Sequence, residues 1–266
     1  MPEFTRDKPL LIDISLPSGS VNVLVEERDS VNVVVTPLGH SRQDREAAEA
    51  TAVILDNDKL TIEPPKGGSY LRTSVQLNIE VQAPIDSDIR VAVASATVAC
   101  KGRYKHVVIK SASGDIEIDE ATGNARIQTS NGDARINKVG GKLNVKTASG
   151  NVTANDVVGV TTLSSASGNI EIADARTDVR SKSASGGLRI RAAHGGAISA
   201  RSSSGEIFIG VVPDTGVWID LDSVSGNISN DLETSESQTE AADLKIQVRT
   251  TSSDIAILRV SEKTTA

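Results

Sequence analysis

Glycine recurs every nine residues through the middle of this chain, at Gly114, Gly123, Gly132, Gly141, Gly150, Gly159 and Gly168, then at Gly186 and Gly195, with Thr177 in the vacant slot. Two and four positions after each anchor the residue is apolar or small, as in Ile116 and Ile118, Ala134 and Ile136, or Leu188 and Ile190. The residues between are polar, so each unit is a short strand with one face inward and one outward. Alternate units carry a hydroxyl corner, "SASG" at Ser111, "TSNG" at Thr129, "TASG" at Thr147, "SASG" at Ser165 and Ser183, "SSSG" at Ser202 and "SVSG" at Ser223. The true period is therefore 18 residues, two strands and two corners. Repeats of this length that bury one face each must stack. The expected fold is all-β: a flattened parallel β-solenoid of about eight coils, counting "TSSD" at Thr251, with a degenerate coil at "SATVAC" before them. The crossover rule makes it right-handed.

The corners call for small residues because the chain must pass from one sheet to the other within about four residues, where glycine tolerates left-handed backbone. Stacked Ser and Thr can bond to corner amides and to the coils above and below. Composition agrees. Aromatics are 2% of the chain, and none lies between Tyr104 and Phe208, as a thin core of Val, Ile, Leu and Ala requires. After Pro84 only Pro213 remains, since proline would remove a ladder donor. Cys100 is the one cysteine; it reads as a small inward apolar side chain, and no intrachain disulfide can form. The outward column Glu117, Arg135, Thr153, Glu171, Arg189 sets opposite charges on neighbouring coils.

The beat breaks at "RAAHGG", which adds one residue, at "VVPDTGVWIDLD", and at an acidic excursion over 230–243. Residues 1–90 lack it. "LLIDISL", "SVNVLVEE", "SVNVVVTP", "KLTIEP" and "SVQLNIEVQAP" read as an antiparallel N-terminal β cap over the first coil's open edge. It contains one helix at about Gln43–Ala50, with Ser41 as its cap. The solenoid then occupies 91–260, including the acidic loop, and 261–266 form a disordered tail.

The repeated [S/T]-x-[S/N]-G-x-Φ-x-Φ units from Ser111 to Ile228, with "SGNISNDLE", "VRTTSSDIAI" and the early "PSGSVNV", resemble a bacterial adhesin-like β-strand-repeat family of unknown function. The resemblance covers nearly the whole chain. It implies the solenoid fold and brings no catalytic or ligand residues with it.

Neither a metal nor a cofactor is expected. In calcium-binding nonapeptide rolls an Asp stands two positions after the glycine; here Ile116, Ala125, Ala134, Leu143, Val152, Ile170 and Leu188 fill that column. His40, His106 and His194 are scattered, and "GGSY" at Gly67 and "KVGGK" at Lys138 precede no helix that could hold a phosphate. Two function classes remain. One is a non-enzymatic structural or interaction scaffold, offering long faces to an unidentified protein or glycan partner. Phe208, Trp218, Asp115 and Glu117 are its candidate contacts, and end-to-end self-association is a further outcome. The other is a carbohydrate-active β-helix enzyme using an acidic outer face of Asp115, Glu117, Asp119 and Asp133. The first is favoured, because these outward acidic residues read as a solvated face, and serines that recur in every coil are structural and not catalytic. Net charge of −7 argues against nucleic acid and anionic membrane as partners. The first residues hold no signal-peptide apolar run, which implies a cytoplasmic location, or a secreted or surface one if a leader is missing.

Overall fold

A computed structural model describes residues 3–65, 75–232 and 242–260. The elements are β1 (Glu3–Thr5), β2 (Leu11–Glu26), β3 (Ser30–Pro37), α1 (Arg42–Glu49), β4 (Ala52–Asp56), β5 (Lys59–Glu63), β6 (Leu77–Pro84), β7 (Asp88–Tyr104), β8 (Val107–Ser113), β9 (Ile116–Ala121), β10 (Ala125–Gln128) and β11 (Ala134–Val139). They continue as β12 (Leu143–Thr147), β13 (Val152–Val157), β14 (Thr161–Ser165), β15 (Ile170–Ala175), β16 (Val179–Ser183), β17 (Leu188–Ala193), β18 (Gly196–Ser202), β19 (Ile207–Val211), β20 (Val217–Ser223), β21 (Ile228–Asn230), β22 (Leu244–Thr250) and β23 (Ile255–Arg259). The fold is all-β and solenoid-like, with parallel strands winding round an axis. It divides into two compact units, residues 1–136 and 137–266. The tail at 261–266 and most of the acidic excursion, 233–241, lie outside the described residues, as does "GGSY" at Gly67.

In the first unit the eighteen-residue rule holds: Ile89 lies beside Val107, Val107 beside Ala125, and Val98 beside Ile116. The parallel winding starts earlier than the N-terminal sequence suggests. β2 is 16 residues long, and its two halves pair in parallel with the two halves of β7 on one side. On the other side they pair in parallel with β5 and β6. The first coil of the chain is thus threaded between the second and the third. Antiparallel pairing is confined to the margin, where β1 joins β3, β3 joins β6 and β4 joins β5. Helix α1 begins at Ser41 as expected, with Ser41 and Asp44 forming a reciprocal capping box. The core columns of this unit, such as Ile12, Ile14, Leu60, Ile62, Ile79, Ile89 and Ile109, are closed to solvent.

In the second unit Leu143, Thr161 and Val179 are successive neighbours, and so are Val152, Ile170 and Leu188. The extra residue in "RAAHGG" shifts the next pairing to Val179 beside Ile198, and a register irregularity between Ile190 and Ala193 absorbs the same residue on the other sheet. The last strands do not stack in chain order. β22 and β23 pair in parallel with β18 and β19 on one side and with β20 and β21 on the other. The final coil therefore lies inside the penultimate one, and β20 and β21 form the outer edge.

The corners show what the repeated letters do. Most of the hydroxyls bond within their own coil: Ser165 Oγ accepts from Gly168 N at 2.8 Å, Ser183 Oγ from Gly186 N at 2.8 Å and Thr147 Oγ1 from Gly150 N at 3.0 Å. Ser223 also reaches the neighbouring coil, its Oγ donating to Ser253 O at 3.1 Å. Other coil-to-coil side-chain bonds at this corner come from the residue after the glycine. Asp115 Oδ1 accepts from Asp133 N at 3.1 Å, Asn151 Oδ1 from Asn169 N at 3.1 Å and Asn169 Oδ1 from Gly187 N at 2.9 Å. Glycine is required mainly by close approach rather than by handedness. Gly114 and Gly205 have φ of 114°. At Gly132, Gly168 and Gly186, by contrast, a methyl group would overlap the carbonyl oxygens of Gly114, Gly150 and Gly168, the glycines one coil earlier. Gly168→Ala should therefore lower stability by about 1–3 kcal/mol, the cost of overpacking. Gly195→Ala, whose added carbon would stand 3.4 Å from Asp243 O, should leave the thermal midpoint nearly unchanged. Parallel thermal melts followed by circular dichroism would compare the two.

Candidate functional site

A stacked fold offers side chains in rows on its outer faces, and the interior is filled. The one cysteine illustrates the interior. Cys100 is fully buried on β7, and burial, with a smaller contribution from the Asp119 charge, pushes its thiol from 9.0 up to about 12. Tyr104 is also buried; its hydroxyl donates to Val23 O at 2.7 Å, and burial raises its pKa well above the ordinary value. Both are held protonated and neutral, which suits packing and not nucleophilic chemistry.

The four residues singled out from the sequence fall at distinct places. In the first unit Asp115 sits at the corner before β9, where its carboxylate caps the next coil. Glu117 is exposed on β9 beside Ala99 of β7. In the second unit Phe208 lies on β19, and the Arg189 guanidinium stacks over its ring at 4.6 Å from the centroid. Glu171 neighbours Arg189 in register, but its ion pair is with Arg191, at 2.8 Å. A cleft of about 310 Å³ beside Phe208 is lined by Asn169, Glu171, Arg189 and Glu206. Trp218 is half exposed on β20, beside Lys245 of β22. β19 and β20 belong to opposite sheets of the second unit, so the two aromatic residues do not share a face. Two of the histidines take corner roles: His106 Nδ1 accepts from Asn124 N at 2.9 Å, and His194 Nε2 meets Asp174 Oδ1 at 2.9 Å. Among the described residues no group of three or more His, Cys, Asp or Glu side chains could hold a metal ion.

A row that the sequence reading did not single out emerges on the other sheet of the second unit. Lys146, Ser164, Lys182, Arg201, Arg249 and Asp222 follow one another in register across β12, β14, β16, β18, β22 and β20. Arg249 is neutralised, donating to Asp220 Oδ1 at 2.9 Å and lying 3.8 Å from Asp222. The Arg249 hydrogen bond foremost, and then one donated by Gln247 Nε2, hold the Asp220 carboxyl below its usual range. Lys146, Lys182 and Arg201 are exposed, and no acidic side chain among the described residues pairs with them. Arg180 stands one column over, loosely paired to Asp178 at 3.5 Å. An acidic chain thus carries a local cationic row whose rungs are about 4.8 Å apart. The signal was present in the 18-residue spacing of Lys146, Ser164 and Lys182. It was hidden at Arg201, which the extra residue displaces by one.

Glycine corners, thin aliphatic layers and outer side-chain rows define a β-solenoid repeat protein. The profile of the family described as Toastrack DUF4097 matches residues 12–261, and the chain belongs to that family, whose function is unknown. No curated protein matches the chain. Among solved structures it is similar to a candidate adhesin from Bacteroides fragilis, at 11% identity and a TM-score of 0.46, over 97% of this chain and 95% of that one. A candidate cell adhesion protein from Clostridium sporogenes is similar at 9% identity and 0.26, over 97% and 98%. A candidate lipid-binding protein from Parabacteroides distasonis is similar at 14% and 0.41, over 97% and 95%. No helix among the described residues is long and apolar enough to cross a membrane.

The buried thiol gives a signed pH dependence. A folded-state pKa above the unfolded value means that the stabilisation is complete below the unfolded pKa and is lost as pH rises toward the folded one. Stability should fall from near pH 9.0, as the unfolded Cys100 ionises, and more steeply beyond 10.0 as the unfolded Tyr104 joins it. Cys100→Ala should remove the earlier component and retain the later one, measured by urea midpoints taken through that range.

Proposed function

We propose that this protein is a non-catalytic binding scaffold, and that the cationic row of its second unit receives an acidic polysaccharide. The observation that carries the reading is the register of Lys146, Ser164, Lys182 and Arg201, four successive rungs with exposed cations at three of them. Backbone ladders fix the rungs, so the charges are held apart against their mutual repulsion without help from a ligand. Preorganisation of this kind reduces the ordering cost of binding. A linear chain of uronic acid sugars advances by about one strand spacing per ring, so its carboxylates can meet the row in step. The Ser164 hydroxyl, with Thr162 and Ser199 in the adjoining column, supplies hydrogen bonds to sugar hydroxyls. The competing reading, a glycan-cleaving acidic face, rests on Asp115, Glu117, Asp119 and Asp133, and two of these carboxylates are already engaged by backbone amides, Asp115 by Asp133 N at 3.1 Å and Asp119 by Gly102 N at 2.9 Å.

Polygalacturonate should bind in a salt-sensitive manner, because each neutralised carboxylate releases a counterion. Lys182→Glu with Arg201→Glu should weaken binding at least about tenfold, which corresponds to about 1.4 kcal/mol. Calorimetric titration checks this, with neutral dextran as the control. Equal binding to dextran, or an unchanged affinity in the double variant, would remove the proposal. Release of reducing sugars from the polymer would favour the enzymatic reading instead.

A further inference from the structure

The two margins of this fold are finished differently. In the first unit the outer strands β5 and β6 are covered by antiparallel β4 and β3, and α1 packs on β3. In the second unit the outer strands β20 and β21 pair, among the described residues, only with β22 and β23. The inward column of this last coil is correspondingly uncovered. Its partners Leu244, Ile246 and Val248 are fully buried one rung in, whereas Val217, Ile219 and Leu221 are half-buried, and Ile228, beside buried Ile255, is 46% exposed. Val224 at the adjoining corner is 79% exposed. Leu244 N donates to Gly216 O at 3.0 Å, and Val224 N donates to Thr250 O at 3.3 Å. Ladder alternation then turns the backbone groups of Val217, Ile219 and Leu221 to the open side. An uncapped repeat with an apolar end and unpaired amides is a template for another strand.

We propose that the occupant is a second copy of this chain, with β20 lying antiparallel to β20 of the other copy about a twofold axis through Ile219. The two segments that adjoin this coil in sequence are poor in apolar material for a cover. The link 233–241 reads "ETSESQTEA" and the tail 261–266 reads "SEKTTA", and neither contains an apolar residue larger than alanine. The strand is self-complementary in this register. Ile219 faces Ile219, Val217 faces Leu221, and the open amides and carbonyls of these residues exchange hydrogen bonds. Trp218 faces Asp220. Centring on Asp220 instead would set two carboxylates directly opposite each other, which is unfavourable. Seven residues at about 3.3 Å each, on a coil roughly 20 Å thick with its side chains, give a footprint on the order of 450 Å² per copy, about 900 Å² in total, the size of a weak, transient interface. The dimer is therefore weak and concentration-dependent.

Trp218 is the chain's only tryptophan and half exposed on the proposed contact, so it reports directly on it. Sedimentation of the full chain from about 1 to 200 µM should show monomer giving way to dimer by mass action, with Trp218 emission moving to shorter wavelength over the same range. Ile219→Pro removes one open-side amide without removing a bond to β22, and Ile228→Lys places a charge on the apolar end. Each should raise the dissociation constant at least about tenfold while the circular dichroism melt of the monomer is retained. A chain that stays monomeric throughout would overturn the proposal. So would a dimer that persists in both variants, or one that forms with Trp218 emission unchanged. None of these outcomes bears on polysaccharide binding, which uses the broad face.

Discussion

The close stacking of one corner on the next governs the rest of this structure. Strand pairing fixes adjacent coils at about 4.8 Å, and at that distance the α-carbon of one corner lies against a carbonyl oxygen of the corner before it. Gly132, Gly168 and Gly186 all face this contact. Once the column must be glycine, its stiffness has to come from elsewhere. The hydroxyl three residues before Gly168 ties the turn to itself, and the Asn after it ties that turn to the next. Each letter of the motif thus answers a different part of one steric problem.

Much of the architecture was legible because it repeats. The eighteen-residue register, the inward columns, the burial of Cys100 and the capped helix at Ser41 follow from local chemistry that the sequence states many times or states plainly. What escaped was stated once. The parallel placement of β2 depends on pairing with β7 some 77 positions away, a separation for which the nine-residue beat offers no cue. Alternation alone cannot distinguish that strand from an antiparallel one. The interior position of β22 and β23 is equally silent in the sequence.

The outer faces were harder to read than the core for a physical reason. An inward position must be apolar, so its column announces itself, but an outward position accepts almost anything. Asp115 looked like part of an acidic patch and proved to hold a backbone amide. Glu171 and Arg189, neighbours by register, chose other partners, Arg191 and Phe208. Lys182 and Arg201 acquire meaning only after the one-residue slip before β18 is known. The pattern of the solvated side chains is read only once the frame that spaces them is in place.

The threading of the terminal coils bears on how such a chain would carry load. In the first unit β2 is held by strands on both sides, and in the second unit β22 and β23 are held likewise. Once the three-residue β1 has come away from β3, tension applied through the two chain ends would not unzip a further outermost strand, as it would in a solenoid wound in simple order. It would have to draw out a strand gripped along both edges, breaking two ladders together. Beyond that short strand, a protein built this way resists pulling in shear.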